Sequence, residues 1–528
     1  MKKRWSIAIL CALVLTFMMQ MTVSANNNIT MYYSFISGND VNVIAAGPVA
    51  QSDDGNYYLF ALEPYEAGVG SRTDYCAVVP AAETAHFVTP LNYNTASSKL
   101  YSRFVVTVRR GGVYVPISNE MYITNPEAVA TRALGQAART KKGLIADPMY
   151  AADLTDLNCG YAAYILYLTD FLKGTGVNYT YNGKTYSFDA ATVFGYDMTL
   201  QALSAQGVNI VMVVMNRYEP AAMDMIPPAA RVPGEYAYAF NIQEQIPTEK
   251  LEAVMSFLAS RYSGIGCGSV HSWIVGNEVN NNHPAHFSGN MNAQQFADDY
   301  ATQFRVIYNA VKSQNKDAIV YTNIDQRWNW EDGTPNQYSS KSFLDKFAAS
   351  MKSKGDVDWG LSFHPHPIPM TNCKFWNIPA AYAGLNLVST NDNSKMASIQ
   401  NMEVFVNHMK QPALLGPDGT VRSLIITELG FTSSSPQYPS NEQVQAAALV
   451  YAYKKAMMYP EIDAFIIHKH VDDPGELHDG YAYGIRELSG RQKFVYEIFK
   501  NVDTGNTAYT DFALPIIGVS NWGQLGIR

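Results

Sequence analysis

Cysteine is scarce in this sequence, and its spacing excludes the commonest structural use of that residue. Five cysteines occur in 528 residues. No two of them form a Cys-x-x-Cys pair, so a structural zinc site is not expected. Four lie beyond the first 25 residues, and spacing alone decides no disulfide pairing among them; they are Cys76, Cys159, Cys267 and Cys373.

Positive charge is also in short supply. Lys and Arg number 38 against 46 Asp and Glu, which gives a formal net charge of −8. Chains that bind nucleic acid carry a basic excess, so nucleic acid is not an expected partner. Charged residues make up 16% of the chain and hydrophobic residues 47%. This balance excludes a disordered chain and indicates a globular fold with a sizeable core.

Long hydrophobic runs are missing except at the amino terminus. The apolar run 6–19 follows Lys2, Lys3 and Arg4 and precedes small residues at 23–25. It is shorter than the ~20 residues that cross a bilayer, and the pattern is typical of a cleaved signal peptide. We therefore predict a signal peptide at 1–25, a secreted protein (periplasmic in a cell with an outer membrane), and no membrane association after cleavage.

The region 26–130 is built from short apolar stretches separated by turn-forming residues. Examples are the stretches 57–62 and 104–108, with turn signals at 53–55 and at Gly111-Gly112. Short alternating stretches punctuated by glycine and aspartate are typical of antiparallel sheets. The sequence predicts an amino-terminal antiparallel β-sandwich module, which supports the following domain or binds carbohydrate.

From residue 131 the pattern changes to strand-like runs that alternate with helical segments, which indicates parallel β/α units. We predict an α/β fold, a (β/α)₈ TIM barrel over 131–505, followed by a carboxyl-terminal tail, 506–528. An open doubly wound sheet is the alternative, but no Gly-x-Gly-x-x-Gly follows the first strand. The predicted strands are 161–168, 208–215, 236–242, 270–279, 318–324, 359–364, 423–427 and 462–468.

Two predicted strands end in a carboxylate. The fourth strand finishes at Gly276-Asn277-Glu278, and the seventh is followed by Glu428 in the sequence Thr427-Glu428-Leu429-Gly430. In a barrel of this kind the chemistry sits at the carboxyl ends of the strands. Glu278 and Glu428 are therefore the candidate catalytic residues.

These two motifs resemble those of the clan A retaining glycoside hydrolases, barrel enzymes with catalytic glutamates on strands four and seven. The resemblance covers about 131–505, and the whole chain also resembles a family of secreted bacterial proteins regarded as hydrolytic. It implies a carbohydrate substrate, no cofactor and no metal. It further implies that Glu278 is the acid/base, that Glu428 is the nucleophile, and that Asn277 binds the hydroxyl beside the reacting carbon.

Cleavage of a glycosidic bond explains why two carboxylates are needed. The departing oxygen takes up a proton while the anomeric carbon develops positive charge, and one acid cannot serve both. In a retaining mechanism one carboxylate attacks the sugar and the other donates the proton and then activates water. We expect the pKa of Glu278 to be raised by apolar neighbours or by the charge of Glu428, and Glu428 to be kept ionised by hydrogen-bond donors.

Histidines follow two other strands. His364 and His366 end strand six, and His468 and His470 end strand eight, where clan A enzymes often have a Tyr and a Trp. Residues two apart lie on one face of a strand, so a metal-dependent barrel hydrolase is an alternative. The predicted first strand has no histidine, and we interpret these residues as orienting carboxylates or contacting sugar hydroxyls.

Two further candidates complete the predicted site. Arg217 follows the second predicted strand and could hold Glu428 ionised, or form a surface salt bridge instead. Trp328 follows the fifth strand and could stack on a pyranose ring, or be buried packing. A carbohydrate-binding barrel without catalysis is the remaining alternative, and loss of Glu428 would not affect such a protein.

Overall fold

The computed structural model describes residues 29–264 and 266–527, so the predicted signal peptide lies outside the described residues. The described chain divides into two compact units. The first consists of residues 29–90 and 102–123, and the second of 91–101 together with the described residues from 124 onward. Within the described residues, no helix combines the length and the apolar character needed to cross a membrane.

The first unit contains two antiparallel sheets. One has the order β1-β2-β5, and the other has the order β4-β3-β6-β7 with β8 paired to β6. Alternation is clearest in β5, where every second side chain is buried, as one-sided packing of a sheet requires. The strands are β1 (Thr30–Ser37), β2 (Asp40–Ala46), β3 (Asn56–Leu62), β4 (Ala77–Pro80), β5 (Thr84–Pro90), β6 (Arg103–Arg110), β7 (Val113–Pro116) and β8 (Met121–Tyr122).

The second unit is a closed barrel of eight parallel strands in the order β9-β10-β13-β14-β15-β16-β17-β18, with β18 paired back to β9. The predicted fold class, a (β/α)₈ barrel with an additional β-rich module, is confirmed. Its strands and the β11–β12 hairpin are β9 (Lys142–Ile145), β10 (Tyr161–Tyr167), β11 (Gly176–Tyr181), β12 (Lys184–Asp189), β13 (Asn209–Met215), β14 (Ser272–Val275), β15 (Ile319–Ile324), β16 (Trp359–Phe363), β17 (Leu424–Ile426) and β18 (Ile462–Ile467).

Helices separate the barrel strands. The longest, Ala293–Gln314, begins at a capping box in which Asn292 and Gln295 satisfy each other's backbone groups. The helices are Asp153–Asp156, Leu168–Leu172, Ala190–Ser204, Gln245–Arg261, Asn282–Ala285, Ala293–Gln314, Ser340–Ser353, Ala380–Ala383, Glu403–Met409, Glu442–Ala456, Pro474–His478, Phe494–Asn501 and Ala513–Ile517.

The barrel interior is a packed apolar core. Inward-facing side chains from six strands fill it, so no channel runs through the barrel. In barrels of this kind, ligands bind at the carboxyl ends of the strands. The buried core residues are Ala163, Val211, Ile274, Tyr321, Ile425, Ala464 and Ile466.

The first and third strands differ from the prediction. The barrel begins at β9, ahead of the first predicted strand, and the predicted third strand, 236–242, is not part of the sheet. β9 could not be recognised from its hydrophobicity because it contains Lys142. The buried ammonium of Lys142 donates to the carbonyls of Phe499 and Lys500 and to Asp503. The predicted strands four to eight correspond to β14 to β18.

The segment predicted as a tail, 506–528, contains the helix Ala513–Ile517. Trp522 lies near the helix Glu442–Ala456, where the Lys454 ammonium is 5.1 Å from the centre of its ring. This contact belongs to the barrel unit, in which the carboxyl-terminal segment is included.

Candidate active site

Glu278 lies three residues beyond β14, after a sharp turn of the backbone. Gly276 has φ +81°, and an added Cβ there would lie 2.5 Å from Val279 Cγ1 and 2.8 Å from His286 Nδ1. Only glycine fits this turn without strain. The backbone N–H of Glu278 donates to the side-chain oxygen of Asn323, which lies in β15. The turn therefore fixes Glu278 at the carboxyl end of the barrel, beside the neighbouring strand.

Glu428 lies two residues beyond the end of β17 and is surrounded by three imidazoles. Its Oε2 lies 3.7 Å from His364 Nδ1, and its Oε1 lies 3.7 Å from His366 Nε2 and 3.9 Å from His468 Nδ1. The histidines come from the segments that follow β16 and β18, the two strands on either side of β17. Neighbouring strand ends thus converge on this carboxylate.

His364 brings the two glutamates together. Its Nδ1 is 3.0 Å from Glu278 Oε1 as well as 3.7 Å from Glu428 Oε2, so these two carboxylate oxygens are at most about 7 Å apart, the sum of the two distances. The other ring nitrogen is held by Asn323 at 3.0 Å and by Thr427 at 3.2 Å. The side chain is only 2% exposed. The buried His364 ring is therefore positioned by Asn323 and Thr427 at one nitrogen and lies between the two glutamates at the other.

The two glutamates have opposite electrostatic environments. Burial raises the pKa of Glu278, and the charges of Asp325 and Glu428 raise it further, against the opposing effect of His364. Burial also acts to raise the pKa of Glu428, but His468, His364, His366 and Lys469 outweigh it and lower the pKa to about 2. Near neutral pH, Glu428 is ionised and Glu278 is the group that holds a proton more readily.

Asp325 is a second carboxylate, besides Glu428, whose charge raises the pKa of Glu278, and sequence reasoning assigned it no role. It directly follows β15, and its Oδ2 accepts from Asn281 Nδ2 at 2.9 Å and from Arg327 Nε at 2.7 Å. The same Asn281 amide lies 3.5 Å from Glu278 Oε2. Arg327 lowers the pKa of Asp325 against the effect of burial. The sequence signal was its position at a strand end, which marks many residues besides functional ones.

His468 is held in place by Glu476, a residue that sequence reasoning missed. Its Nε2 is 2.6 Å from Glu476 Oε1, which leaves Nδ1 facing Glu428. Lys469 Nζ is 3.3 Å from the same Glu476 oxygen. Glu476 lies in the short helix Pro474–His478, in a loop where no motif marks it.

His366 is buried beside Glu428. Burial lowers the pKa of His366 to about 4, so this imidazole is neutral near pH 7. Its Nδ1 has no hydrogen-bond partner within residues 29–264 and 266–527. His366, His364 and Glu278 each offer one ligand atom, and the three atoms lie within 4.8 Å of one another. A carboxylate and two imidazoles at this spacing could also hold a divalent cation.

The four histidines do not form one set, which corrects the prediction for His470. His470 Nε2 is 2.9 Å from Asp153 Oδ2, and its Nδ1 accepts the backbone N–H of Asp147 at 3.2 Å. Asp153 is also bound twice by Arg486. The alternation of a strand does not extend to these residues because β18 ends at Ile467. His470 therefore braces the loop after β9 and is not brought to the acid pair.

Of the two roles predicted for Arg217, the structure shows the salt bridge and not a contact with Glu428. Its guanidinium binds Asp170 Oδ1 through Nε at 2.8 Å and through Nη2 at 2.7 Å. It also lies over the ring of Tyr167, 5.2 Å from the ring centre. The groups that lower the pKa of Glu428 are instead His468, His364 and Lys469, with a contribution from His366 only at acidic pH, where that imidazole is protonated.

Trp328 is wholly buried, so the prediction that it stacks on a sugar is wrong. Its exposure is 0%, and its ring packs edge-on against Phe405 and His408. The indole N–H donates to the carbonyl of Asp392 at 3.2 Å. Asn277, by contrast, is partly exposed beside Glu278, as a residue that contacts substrate must be.

The strand order defines the second unit as a (β/α)₈ barrel, and an acid pair stands at the carboxyl ends of its strands. Residues 135–525 match the family described as "Family of unknown function (DUF5722)". This match covers well over half of the sequence, and the chain belongs to that family. No curated protein matches the chain.

Several similar solved structures are glycoside hydrolases. A family 39 glycoside hydrolase from Bacteroides cellulosilyticus WH2 is 14% identical, with 87% of this chain and 78% of that chain covered and a TM-score of 0.45. A GH2 β-galacturonidase from Eisenbergiella tayi is 11% identical, with 90% of this chain and 72% of that chain covered and a TM-score of 0.38. The Ruminococcus gnavus β-glucuronidase is 10% identical, with 90% of this chain and 68% of that chain covered and a TM-score of 0.35. Similarity at this level carries no argument about activity.

Proposed function

We propose that the protein is a secreted glycoside hydrolase that cleaves a poly- or oligosaccharide by a retaining mechanism. Glu428 is the nucleophile and Glu278 is the acid/base. One observation carries the proposal. Two half-buried glutamates lie against one imidazole, and their surroundings lower the pKa of one and raise that of the other. Two carboxyl groups with divergent environments are what glycosidic cleavage by an acid pair requires.

The reaction has two steps. In the first, a carboxylate oxygen of Glu428 attacks the anomeric carbon, the bond to the leaving oxygen breaks, and Glu278 gives its proton to that oxygen. In the second, Glu278 takes a proton from water, the resulting hydroxide oxygen attacks the same carbon, and Glu428 leaves as a carboxylate. The two glutamate oxygens are at most about 7 Å apart, a bound that includes the spacing of retaining enzymes, about 5 to 5.5 Å, and leaves only the lower end of the inverting range, about 6.5 to 9.5 Å.

The charge coupling supports the change of role that Glu278 makes between the steps. The negative charge of Glu428 is one cause of the raised pKa of Glu278. When Glu428 is esterified by the sugar, that charge disappears. The pKa of Glu278 then falls, and it becomes the ionised base that the second step needs.

A panel of aryl glycosides and polysaccharides tests the proposal, with wild type and Glu428→Ala assayed together. Wild type is expected to cleave at least one substrate, and Glu428→Ala to lose at least about a thousandfold in kcat. Added azide, a small nucleophile that fits the space of the lost carboxylate, should restore cleavage and give a glycosyl azide of inverted configuration. The matched control is Glu497→Ala, which removes an exposed glutamate from the helix Phe494–Asn501.

The same assay separates two alternatives. A carbohydrate-binding barrel would bind a glycan without cleaving it and would be indifferent to Glu428→Ala. A metal-dependent hydrolase is the second candidate, because donor atoms of Glu278, His364 and His366 converge within 4.8 Å. It predicts loss of activity on treatment with a chelator and recovery with added Zn²⁺, whereas the acid-pair mechanism predicts no change.

A further inference from the structure

Two tyrosines stand on the side of the barrel mouth that the histidines leave uncovered. Tyr167 is the last residue of β10. Side chains alternate along a strand, so Tyr167 lies on the same face as Tyr161 and Ala163, which face the barrel interior. Its ring is therefore on the inner face at the carboxyl end of the strand. β10 and β13 lie across the closed barrel from β16 and β17, the strands that precede His364 and Glu428.

Tyr236 is positioned over the same end of the barrel by the segment that follows it. The backbone N–H of Ala237 donates to Pro284 at 3.1 Å, and that of Tyr238 donates to Asn216 at 2.9 Å. The segment thus spans from the end of β13 to the loop that follows Glu278. Tyr236 is 54% exposed, so much of its side chain is open to solvent.

The two tyrosines belong to adjoining parts of the barrel mouth. Tyr238, two residues after Tyr236, is bound to Asn216 directly after β13, the strand that pairs with β10, and the Arg217 guanidinium lies over the Tyr167 ring. Partial burial, Tyr167 and the charges of Glu428 and Glu278 together raise the pKa of Tyr236. The charges of both glutamates thus act on Tyr236, which agrees with its place between the end of β13 and the loop that follows Glu278.

Basic groups around this mouth are already paired with carboxylates. Arg217 is bound to Asp170, Arg327 to Asp325, and Lys469 to Glu476. A sugar acid needs an arginine or lysine whose charge is available to its carboxylate. These three pairs instead suit a ligand without charge of its own.

We propose that Tyr167 and Tyr236 form an aromatic platform that binds the C–H face of a neutral pyranose ring between Glu278 and Glu428. The location of the platform rests on the proposed function, since the ring it binds is the one that the acid pair cleaves. A pyranose has an apolar face of C–H groups and a polar rim of hydroxyls. An exposed aromatic ring matches the former and the tyrosine hydroxyls match the latter.

Kinetics of three variants test the platform. The probes are 4-nitrophenyl α- and β-glycosides of glucose, galactose, mannose, xylose and glucuronic acid. Tyr236→Ala is expected to raise KM roughly tenfold to a hundredfold on the neutral substrate that wild type cleaves, with a smaller effect on kcat. Tyr236→Phe keeps the ring but loses the hydroxyl, so its KM should rise by less than about tenfold and lie between those of wild type and Tyr236→Ala. The control Phe194→Ala, which removes an exposed aromatic from the helix Ala190–Ser204, should match wild type.

Two kinetic results would overturn the platform. One is an unchanged KM in Tyr236→Ala, and the other is cleavage of the glucuronide alone by wild type. Thermal melting of each variant shows whether the substitution has disturbed folding, and Tyr236→Phe retains the ring if the alanine variant unfolds.

A binding measurement separates the platform from the proposed function. Saturation-transfer NMR is performed on Glu428→Gln and on Glu428→Gln combined with Tyr236→Ala, using neutral tetrasaccharides of glucose, xylose and mannose. Binding that disappears in the double variant supports the platform even if wild type cleaves nothing, in which case only the proposed function fails. Cleavage by wild type with equal binding by both variants would keep the function and refute the platform. Absence of binding to any of the three would refute the platform as well.

Discussion

Glu278 and Glu428 are the same residue type at corresponding ends of two strands, and the structure gives them opposite acidities. Burial alone would raise the pKa of both. The difference comes from their neighbours. Glu278 has the carboxylate of Asp325 nearby in addition to the shared His364, whereas Glu428 has His366, His468 and Lys469 in addition to His364. Nearby charge, and not the degree of burial, assigns the two roles.

The two sets of neighbours come from different parts of the barrel. Asp325 directly follows β15, next to the strand that precedes Glu278. His366 and His468 follow β16 and β18, on either side of the strand that precedes Glu428. Asp325 therefore lies on the Glu278 side of the mouth, at strands four and five, and the histidines and Lys469 lie on the Glu428 side, at strands six to eight. Changing the charges on one side should alter one glutamate and spare the other.

The largest expected effect comes from removing each carboxylate and varying the leaving group. Glu278→Ala should lose about 10²-fold to 10⁴-fold in rate on substrates with a poor leaving group, because the proton donor is gone. With a 2,4-dinitrophenyl leaving group, which departs without a proton, it should lose far less in the first step. Glu428→Ala should be inactive on both substrates. Steady-state and burst kinetics on the two substrates measure this.

Equal sensitivity of the two variants to the leaving group would contradict the assignment of roles. A reversed pattern, with Glu428→Ala rescued by the better leaving group, would exchange the roles.

The next effect is on the acid side of the pH profile. His468 is the strongest of the charges that lower the pKa of Glu428. His468→Gln should therefore raise that pKa, so that more Glu428 is protonated and inactive at a given acidic pH. We expect the acid limb of kcat/KM to move to higher pH while the alkaline limb stays in place. An acid limb that stays at its wild-type position would show that His468 does not hold Glu428 ionised.

A complementary change acts on the other limb. Asp325 is one cause of the raised pKa of Glu278, so Asp325→Asn should lower that pKa. The alkaline limb of kcat/KM, where the acid loses its proton, should move to lower pH, and the acid limb should stay in place. The substitution also leaves Arg327 without its buried partner, and we expect a stability loss of about 3 kcal/mol in denaturant unfolding. Asp345→Asn, at an aspartate outside the mouth, is the control for general effects of lost charge.

The smallest effect is expected for Arg217→Met. Because Arg217 pairs with Asp170 and not with Glu428, the acid limb should not move. A modest fall in kcat/KM is expected because the guanidinium supports the Tyr167 ring. A shift of the acid limb comparable to that of His468→Gln would restore the role that the sequence predicted for Arg217.

The barrel could be predicted from sequence because its strands are apolar runs between helices, and the acid pair because each glutamate follows such a run. Strands four to eight were placed correctly for that reason. β9 was missed because a buried lysine interrupts its pattern, and 236–242 was mistaken for a strand because its residues are apolar while its backbone bonds to two loops.

The partners of the site could not be predicted, because they depend on which loops meet in space. Whether Arg217 reaches Glu428 or Asp170 is decided by the helix Leu168–Leu172, which brings Asp170 close to it. Trp328 and Tyr236 show the same limit for aromatic residues. The sequence singled out Trp328 for stacking and placed Tyr236 in a strand, and only the packing shows that the first is buried and the second exposed. Glu476 and Tyr167 carry no motif at all.

Covalent trapping of the nucleophile tests the central assignment most directly. Wild type is incubated with the 2-deoxy-2-fluoro aryl analogue of its best glycoside, in which the fluorine slows the second step more than the first, and the labelled peptide is found by mass spectrometry. We expect one sugar per chain, attached to Glu428, and no label in Glu428→Gln. A label on another residue, or a wild type that turns over glycosides without ever forming an adduct, would contradict a retaining mechanism at this pair.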